Sequence, residues 1–445
     1  LTAPDSNPYV TDITQIRLTP DRFRWQELRR GLTRRTLLLA GAGATALAAT
    51  PGSAGQRDPV ADRRRRVCSW ATAPTAVAAG RATTVTDVTL RQIVHLSTGG
   101  DQPCVMVTNE FGTRPIRIGG ARIGRRTGSV TSTDMLAGTG RDLTFDGSPT
   151  VTVPAGGTVL SDPAGLDLPP AADLIVDLYL PDRTELGTIS PKAYQTNLIC
   201  PGDVTGAAEV SGAPVSQFLL LAAVTVRTDR NAAAVVAFGD SITAGARTRN
   251  NVNHRWPDLL AARLRHAGLD RAVLNTGISG NRLLTGSDGP TGQAPDEAHV
   301  GPSGLDRLDR DALTLPGARY LITLLGVNDL GHVPSASADD LITAHRQVIA
   351  RARIAGLAVL GGTLLPFGGA RALYDNRANR ARRETFNAWI RYGGECDGVI
   401  DFAAAVLDPD EHGRLRPDYD SGDHLHPNEA GMGALADAVP LDLFA

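Results

Sequence analysis

The chain has 445 residues, 42% hydrophobic and 21% charged, which suits a globular protein with more than one core. Its 45 basic and 47 acidic residues nearly cancel, so nothing points to nucleic acid or an anionic membrane surface as a partner. The four cysteines, Cys68, Cys104, Cys200 and Cys396, never stand in C-x-x-C spacing, which excludes zinc-ribbon and dithiol redox motifs. Disulfides and buried unpaired thiols both stay open for them.

Residues 1–60 read as a leader. The twin arginine Arg34-Arg35 precedes Leu37 to Ala49, an apolar stretch too short to span a bilayer comfortably, and Gly52-Ser53-Ala54 forms a small-residue exit. Segment 33–55 therefore predicts a twin-arginine export signal and an extracytoplasmic protein. No cysteine follows the apolar stretch in a lipobox context, so no stable membrane anchor is expected.

From 67 to 228 the pattern has period two and frequent Gly/Pro punctuation. Leu174, Val176, Leu178 and Leu180 alternate with Ile175, Asp177 and Tyr179, and Cys104, Met106 and Thr108 alternate with Val105 and Val107. Short strands between turns such as Pro154-Ala155-Gly156-Gly157 predict an antiparallel β-sandwich or jelly-roll-like domain, with no long helix.

The pattern changes for 231–445. Ala233 to Phe238 is a short apolar run, as for a strand buried on both faces. A helix follows from Trp256, with Pro257 in its first turn and Gly268 past its end. Strands are expected at Ala272–Asn275, Tyr320–Leu325, Ala358–Leu360 and Val399–Phe402. Helices are expected after a Ser337/Asp340 capping box, around Asn376–Ile390, and from Asn428. Alternating strand and helix predict an α/β domain: a parallel sheet covered on both faces.

In such a sheet, functional groups collect at the carboxyl ends of the strands. Those ends carry Gly239-Asp240-Ser241-Ile242-Thr243, Ile278-Ser279-Gly280-Asn281 and Gly326-Val327-Asn328-Asp329, while Asp423-His424-Leu425-His426-Pro427 precedes the last helix. Ester cleavage needs a hydroxyl nucleophile, a base, a carboxylate that orients the base, and preformed donors for the oxyanion. Ser241 fits the first role, and His426 with Asp423 the second and third. The backbone N–H groups of Ser241 and Gly280 and the Asn328 side-chain amide fit the last.

These four blocks, in this order, resemble those of the SGNH (GDSL) hydrolase superfamily. The resemblance covers 233–445 and implies a three-layer α/β/α flavodoxin-like domain and a serine ester hydrolase needing no cofactor or metal. It implies Ser241, Asp423 and His426 as triad, and Ser241, Gly280 and Asn328 as oxyanion hole. With Trp70-Ala71-Thr72-Ala73-Pro74 and Asn109-Glu110-Phe111-Gly112 included, the arrangement from 67 onward is similar to a bacterial two-domain branch related to xylanase-associated esterase modules. A small-molecule or polysaccharide ester is then the expected substrate.

His424 also follows Asp423; the spacing of His426 and the Pro-Asn after it favour His426. The His424/His426 pair beside Asp423 also suggests a metal site, but no third ligand cluster has suitable spacing. Two other functions stay in view. One is a lysophospholipase or lipase with the same triad, for which the Gly- and Pro-rich loop from Leu283 to Gly304 is a candidate cover. The other is a non-catalytic polysaccharide-binding protein, although 4% aromatic residues supply few stacking platforms.

Overall fold

The computed structural model describes residues 65–78, 80–229, 231–287 and 299–445. The expected leader with its twin arginine lies outside the described residues, as does the middle of the Leu283–Gly304 loop.

Two larger antiparallel sheets, with three small ones beside them, build the first region. In one, Arg65–Ala71, Leu221–Thr228, Asp101–Thr108 and Thr158–Leu160 lie side by side in that order. The other runs Ala213–Val215, Asn197–Pro201, Val88–His95, Asp173–Leu180, Gly120–Arg125 and Arg141–Asp142. Val105, Val107, Val224 and Val226 from the first sheet share one core with Leu90, Val94, Leu174, Val176 and Leu178 from the second. The described residues from 65 to 229 contain no helix.

The Asp173–Leu180 strand departs from a simple inside-outside alternation. Ile175 and Asp177 on its other face are also fully buried. Met135 packs on Ile175 and Ile93. Asp177 receives two hydrogen bonds from the Arg91 guanidinium, both 2.8 Å, with both side chains out of solvent. A buried charge pair of this kind survives only because each member satisfies the other.

Two segments quoted above serve packing in this region. Trp70 meets Phe218 edge-on at 4.8 Å. Asn109 donates to the carbonyls of Arg114 and Pro154 at 2.9 and 3.1 Å, and a Cβ on Gly112 would lie 1.8 Å from Asn109 Oδ1. Glycine is needed there for close approach.

The second region is a five-stranded parallel sheet. From one edge to the other it runs Arg271–Asn275, Ala233–Gly239, Ala318–Leu324, Ala358–Gly362 and Gly398–Ile400. Every residue of Ala233–Gly239 is buried, as a strand covered on both faces requires. Helices α1 (Ser241–Ala244), α2 (Trp256–His266), α3 (Gly304–Leu308), α4 (Val327–Leu330), α5 (Ala338–Ile354), α6 (Arg377–Tyr392), α7 (Phe402–Val406) and α8 (Glu429–Asp437) connect and cover the strands. The expected box at the start of α5 is formed: Ser337 accepts from the Asp340 N–H, and the Asp340 carboxylate accepts from the Ser337 N–H. One element differs from the expectation. The last strand stops at Ile400, and Phe402 opens α7 because the Asp401 carboxylate caps that helix by accepting from the Ala404 N–H.

The two regions interlock. Val67, Cys68, Ala71 and Ala223 belong to the apolar core of the parallel sheet, and the Cys68 N–H donates to the Pro316 carbonyl at 2.7 Å. Ser97 Oγ reaches the Val273 carbonyl at 2.7 Å and Thr98 Oγ1 the Asp270 carboxylate at 2.6 Å. All four cysteines are free thiols. Burial pushes Cys68 up to about 12 and Cys396 up to about 11, which suppresses the reactive thiolate.

Candidate active site

The strand Ala233–Gly239 delivers Ser241 through a very tight turn. A Cβ on Gly239 would stand 2.2 Å from Thr243 Oγ1 and 2.7 Å from the Leu324 carbonyl, so strand and helix meet more closely than a side chain allows. Asp240 caps α1 by accepting from the Ile242 N–H at 3.0 Å. Ser241 is the first residue of that helix and is 8% exposed.

His426 comes from the other end of the region. Its Nε2 lies 2.8 Å from Ser241 Oγ, and its Nδ1 lies 2.8 Å from Asp423 Oδ2. Asp423 Oδ1 also accepts the N–H groups of Leu425 and His426 at 3.1 and 2.9 Å. That local turn fixes carboxylate and ring together over three residues. A carboxylate facing Nδ1 selects the tautomer with its proton there, leaving Nε2 to accept from the serine hydroxyl. Burial works against charge on Asp423. The backbone N–H and ring of His426 outweigh it and hold the carboxyl well below its usual range.

His424, the competing candidate, points elsewhere. Its backbone is left-handed at φ 60°, and its Nδ1 faces Asp420 Oδ2. Among the described residues, no three His, Cys, Asp or Glu side chains are grouped to hold a metal ion.

Gly280 follows the strand Arg271–Asn275 and Asn328 follows Ala318–Leu324, the two neighbours of the strand that carries Ser241. Gly280 is left-handed at φ 80°, and a Cβ there would strike Val300 Cγ1 at 2.8 Å. The Asn328 amide is held from both ends. Its Nδ2 donates to the Asn281 carbonyl at 2.9 Å, and its Oδ1 accepts from the Tyr374 hydroxyl at 2.8 Å. A carbonyl can only accept, so the Asn281 contact decides which end of the amide carries the hydrogens, and one N–H stays available.

Several contributing residues went unread in the sequence. Arg247 donates to Asp423 Oδ2 from Nε at 3.0 Å. Behind the serine, the fully buried Arg307 bonds the Gly239 and Thr276 carbonyls, Asn281 Oδ1 and Asp311 at 2.8 to 3.1 Å, and stacks on Phe238 at 4.0 Å. Asp329 accepts from the Leu283 and Leu284 N–H groups at 2.8 and 2.9 Å, pinning the start of the Leu283–Gly304 loop. Asp240 and Asp329 stood inside the quoted motifs without a role. Arg247 and Tyr374 reach the site through contacts distant in sequence, and so does Arg307 apart from its local pair with Asp311, so no local pattern marks their place there.

Burial pushes Asp240 up to about 7 and Asp329 up to about 6, with the Asp329 charge adding to the rise at Asp240. Between pH 4 and 7 the folded protein keeps the Asp240 proton while the unfolded chain has released it. This contribution to stability is present at low pH and is lost as pH rises through that window. Melting temperature should therefore fall between pH 5 and pH 8, and Asp240→Asn should shrink the fall. An equal fall in the variant would show that Asp240 does not contribute.

The GDSL-like lipase/acylhydrolase family model matches residues 237–434. The C-terminal half of the chain thus carries a GDSL/SGNH hydrolase domain of the esterase/acylhydrolase class. Among solved structures the chain is similar to the native aryl esterase of M. smegmatis, with 18% identity over 46% of this chain and 96% of that one, at a TM-score of 0.37. It is also similar to the lipase/acylhydrolase from Enterococcus faecalis, with 20% identity over 46% and 92% and a TM-score of 0.36. The acetyl xylan esterase AlAXEase shares 23% identity over 46% and 96%, with a TM-score of 0.34. Comparison with curated proteins gives no match.

Proposed function

We propose that the protein is an exported serine ester hydrolase acting on short acyl esters, acetylated carbohydrate foremost. The observation that carries the reading is the continuous relay Ser241 Oγ, His426 Nε2, His426 Nδ1, Asp423 Oδ2, closed by two 2.8 Å contacts.

In this reading Ser241 Oγ attacks the ester carbonyl carbon while its proton passes to His426 Nε2. The oxyanion is met by the Ser241 and Gly280 backbone N–H groups and the Asn328 amide. Collapse breaks the ester bond, and His426 returns the proton to the departing alcohol. Water, deprotonated by the same ring, then releases the acid and restores the serine. Asp423 holds the ring and offsets its positive charge.

The short-acyl and carbohydrate preference is supported by the likeness of the arrangement from 67 onward, Trp70–Pro74 and Asn109–Gly112 included, to a bacterial two-domain branch related to xylanase-associated esterase modules. Export is supported by the twin arginine at 34–35.

A fluorophosphonate probe on the purified protein tests the relay. Mass spectrometry should find the adduct on Ser241, and His426→Ala should slow labelling by on the order of a hundredfold or more. Labelling at another serine, or an unchanged rate in His426→Ala, overturns the assignment. A p-nitrophenyl ester series should favour acetate over octanoate, and the reverse order would make the protein a lipase.

A further inference from the structure

The loop between α1 and α2 holds unusual backbone. Arg247, Asn251 and Asn253 are left-handed at φ 71°, 72° and 54°. Asparagine tolerates that region, but for arginine it is unfavourable and persists only where surroundings enforce it.

The enforcement comes from both sides. Toward the catalytic turn, Arg247 donates to Asp423. Two residues on, Arg249 holds Glu429 with its backbone N–H and two nitrogens of its guanidinium, each at 2.9 Å. His254 Nδ1 lies 3.1 Å from the same carboxylate. Asp423 and Glu429 stand three residues either side of His426.

Toward the antiparallel region, the buried Asn251 makes three hydrogen bonds to one short segment. Its N–H donates to the Tyr194 carbonyl at 2.9 Å, its Oδ1 accepts from the Thr196 N–H at 2.6 Å, and its Nδ2 donates to Thr196 Oγ1 at 3.1 Å. Thr196 leads directly into the Asn197–Pro201 strand, so the anchor belongs to the six-stranded sheet.

We infer that the antiparallel region is a positioning part of the hydrolase site, with Asn251 and Arg247 as the positioning residues. The Tyr194–Thr196 segment sets Asn251. Asn251 sets the strained loop, and the loop's arginines clamp the turn bearing Asp423 and His426. This rests on the triad reading. It gives the antiparallel region a role in turnover that needs no polysaccharide bound to it.

Asn251→Ala, Thr196→Val and Arg247→Gln test the chain of contacts at three points. Asn251→Ala and Arg247→Gln should each lower kcat by about tenfold with KM within about twofold, because the reacting groups are misplaced while the substrate surface is kept. The rate at which a fluorophosphonate labels Ser241 should fall in parallel. Thr196→Val, which removes one contact, should give a smaller change of the same kind.

The double variant Asn251→Ala/Arg247→Gln should be no worse than the worse single one, since both act through one path. Multiplying losses, or unchanged kcat in both single variants, would overturn the inference. Ser241→Ala separates the two levels. Full activity there removes the triad reading itself. An inactive Ser241→Ala beside unaffected loop variants removes only the positioning role. Circular dichroism and melting of each variant exclude loss of fold as the cause, and Thr196→Val keeps the test open should Asn251→Ala not fold.

Discussion

Ser241→Ala should lower kcat for p-nitrophenyl acetate by at least about 10⁴-fold and leave KM nearly unchanged. The expectation follows from the geometry. The hydroxyl is the group presented to His426 Nε2, at 2.8 Å, and alanine offers neither nucleophile nor proton. Backbone donors and Asn328 remain, so some acceleration over water should persist. His426→Ala should fall into the same range, and the double variant should be little worse than either single one, because the pair works as a unit. Steady-state kinetics on purified protein decide the matter. A Ser241→Ala enzyme retaining even a tenth of the activity would place the chemistry on another residue.

The largest expected effect on stability is at Arg307. Its guanidinium has no access to solvent, and four hydrogen-bond partners and the Phe238 ring surround it. Burial pulls it down only to about 10, with Asp311 opposing the fall, so it stays charged at neutral pH. Arg307→Met keeps much of the volume but strands Asn281 Oδ1 and two strand-end carbonyls, while Asp311 keeps its two hydrogen bonds from Arg310. The cost should be about 3 kcal/mol, since each buried acceptor left without a donor costs about 1–3 kcal/mol. Arg307→Lys should lie between, since a point charge cannot reach all four partners. Urea denaturation reads the loss. An unchanged midpoint in Arg307→Met would mean that the stranded groups find other partners or water.

Much of the parallel-sheet region was legible because its signals are local. Ala233–Gly239 reads as an uninterrupted apolar run, Ser337 and Asp340 read as a cap, and Asn428 caps α8 as the sequence suggests. Ser241, Gly280 and Asn328 were legible for a related reason: each follows a strand, beside glycines that permit close approach, while Asp423 and His426 were legible from their spacing before the last helix. What escaped was one local cap and otherwise tertiary. Phe402 has strand-like character, yet Asp401 turns it into a helix. The second face of Asp173–Leu180 is buried because Met135 and Arg91 come from elsewhere to cover it. The choice between His424 and His426 was open to spacing alone. In the structure a left-handed residue at 424 directs one ring to Asp420 and the other to Ser241.

The interlock of the first strand with the parallel sheet bears on how the chain reaches its native state. Arg65 donates to the Gly317 carbonyl across 252 positions, and Cys68 meets Pro316 nearby. During synthesis the earliest described segment pairs with Leu221–Thr228 but must wait for its contacts at Pro316 and Gly317 until the chain 252 positions beyond Arg65 has emerged. Such distant pairing slows folding and leaves apolar edges uncovered in the interim. Refolding from urea should accordingly be slow, aggregation-prone at high concentration, and improved by dilution or a chaperone.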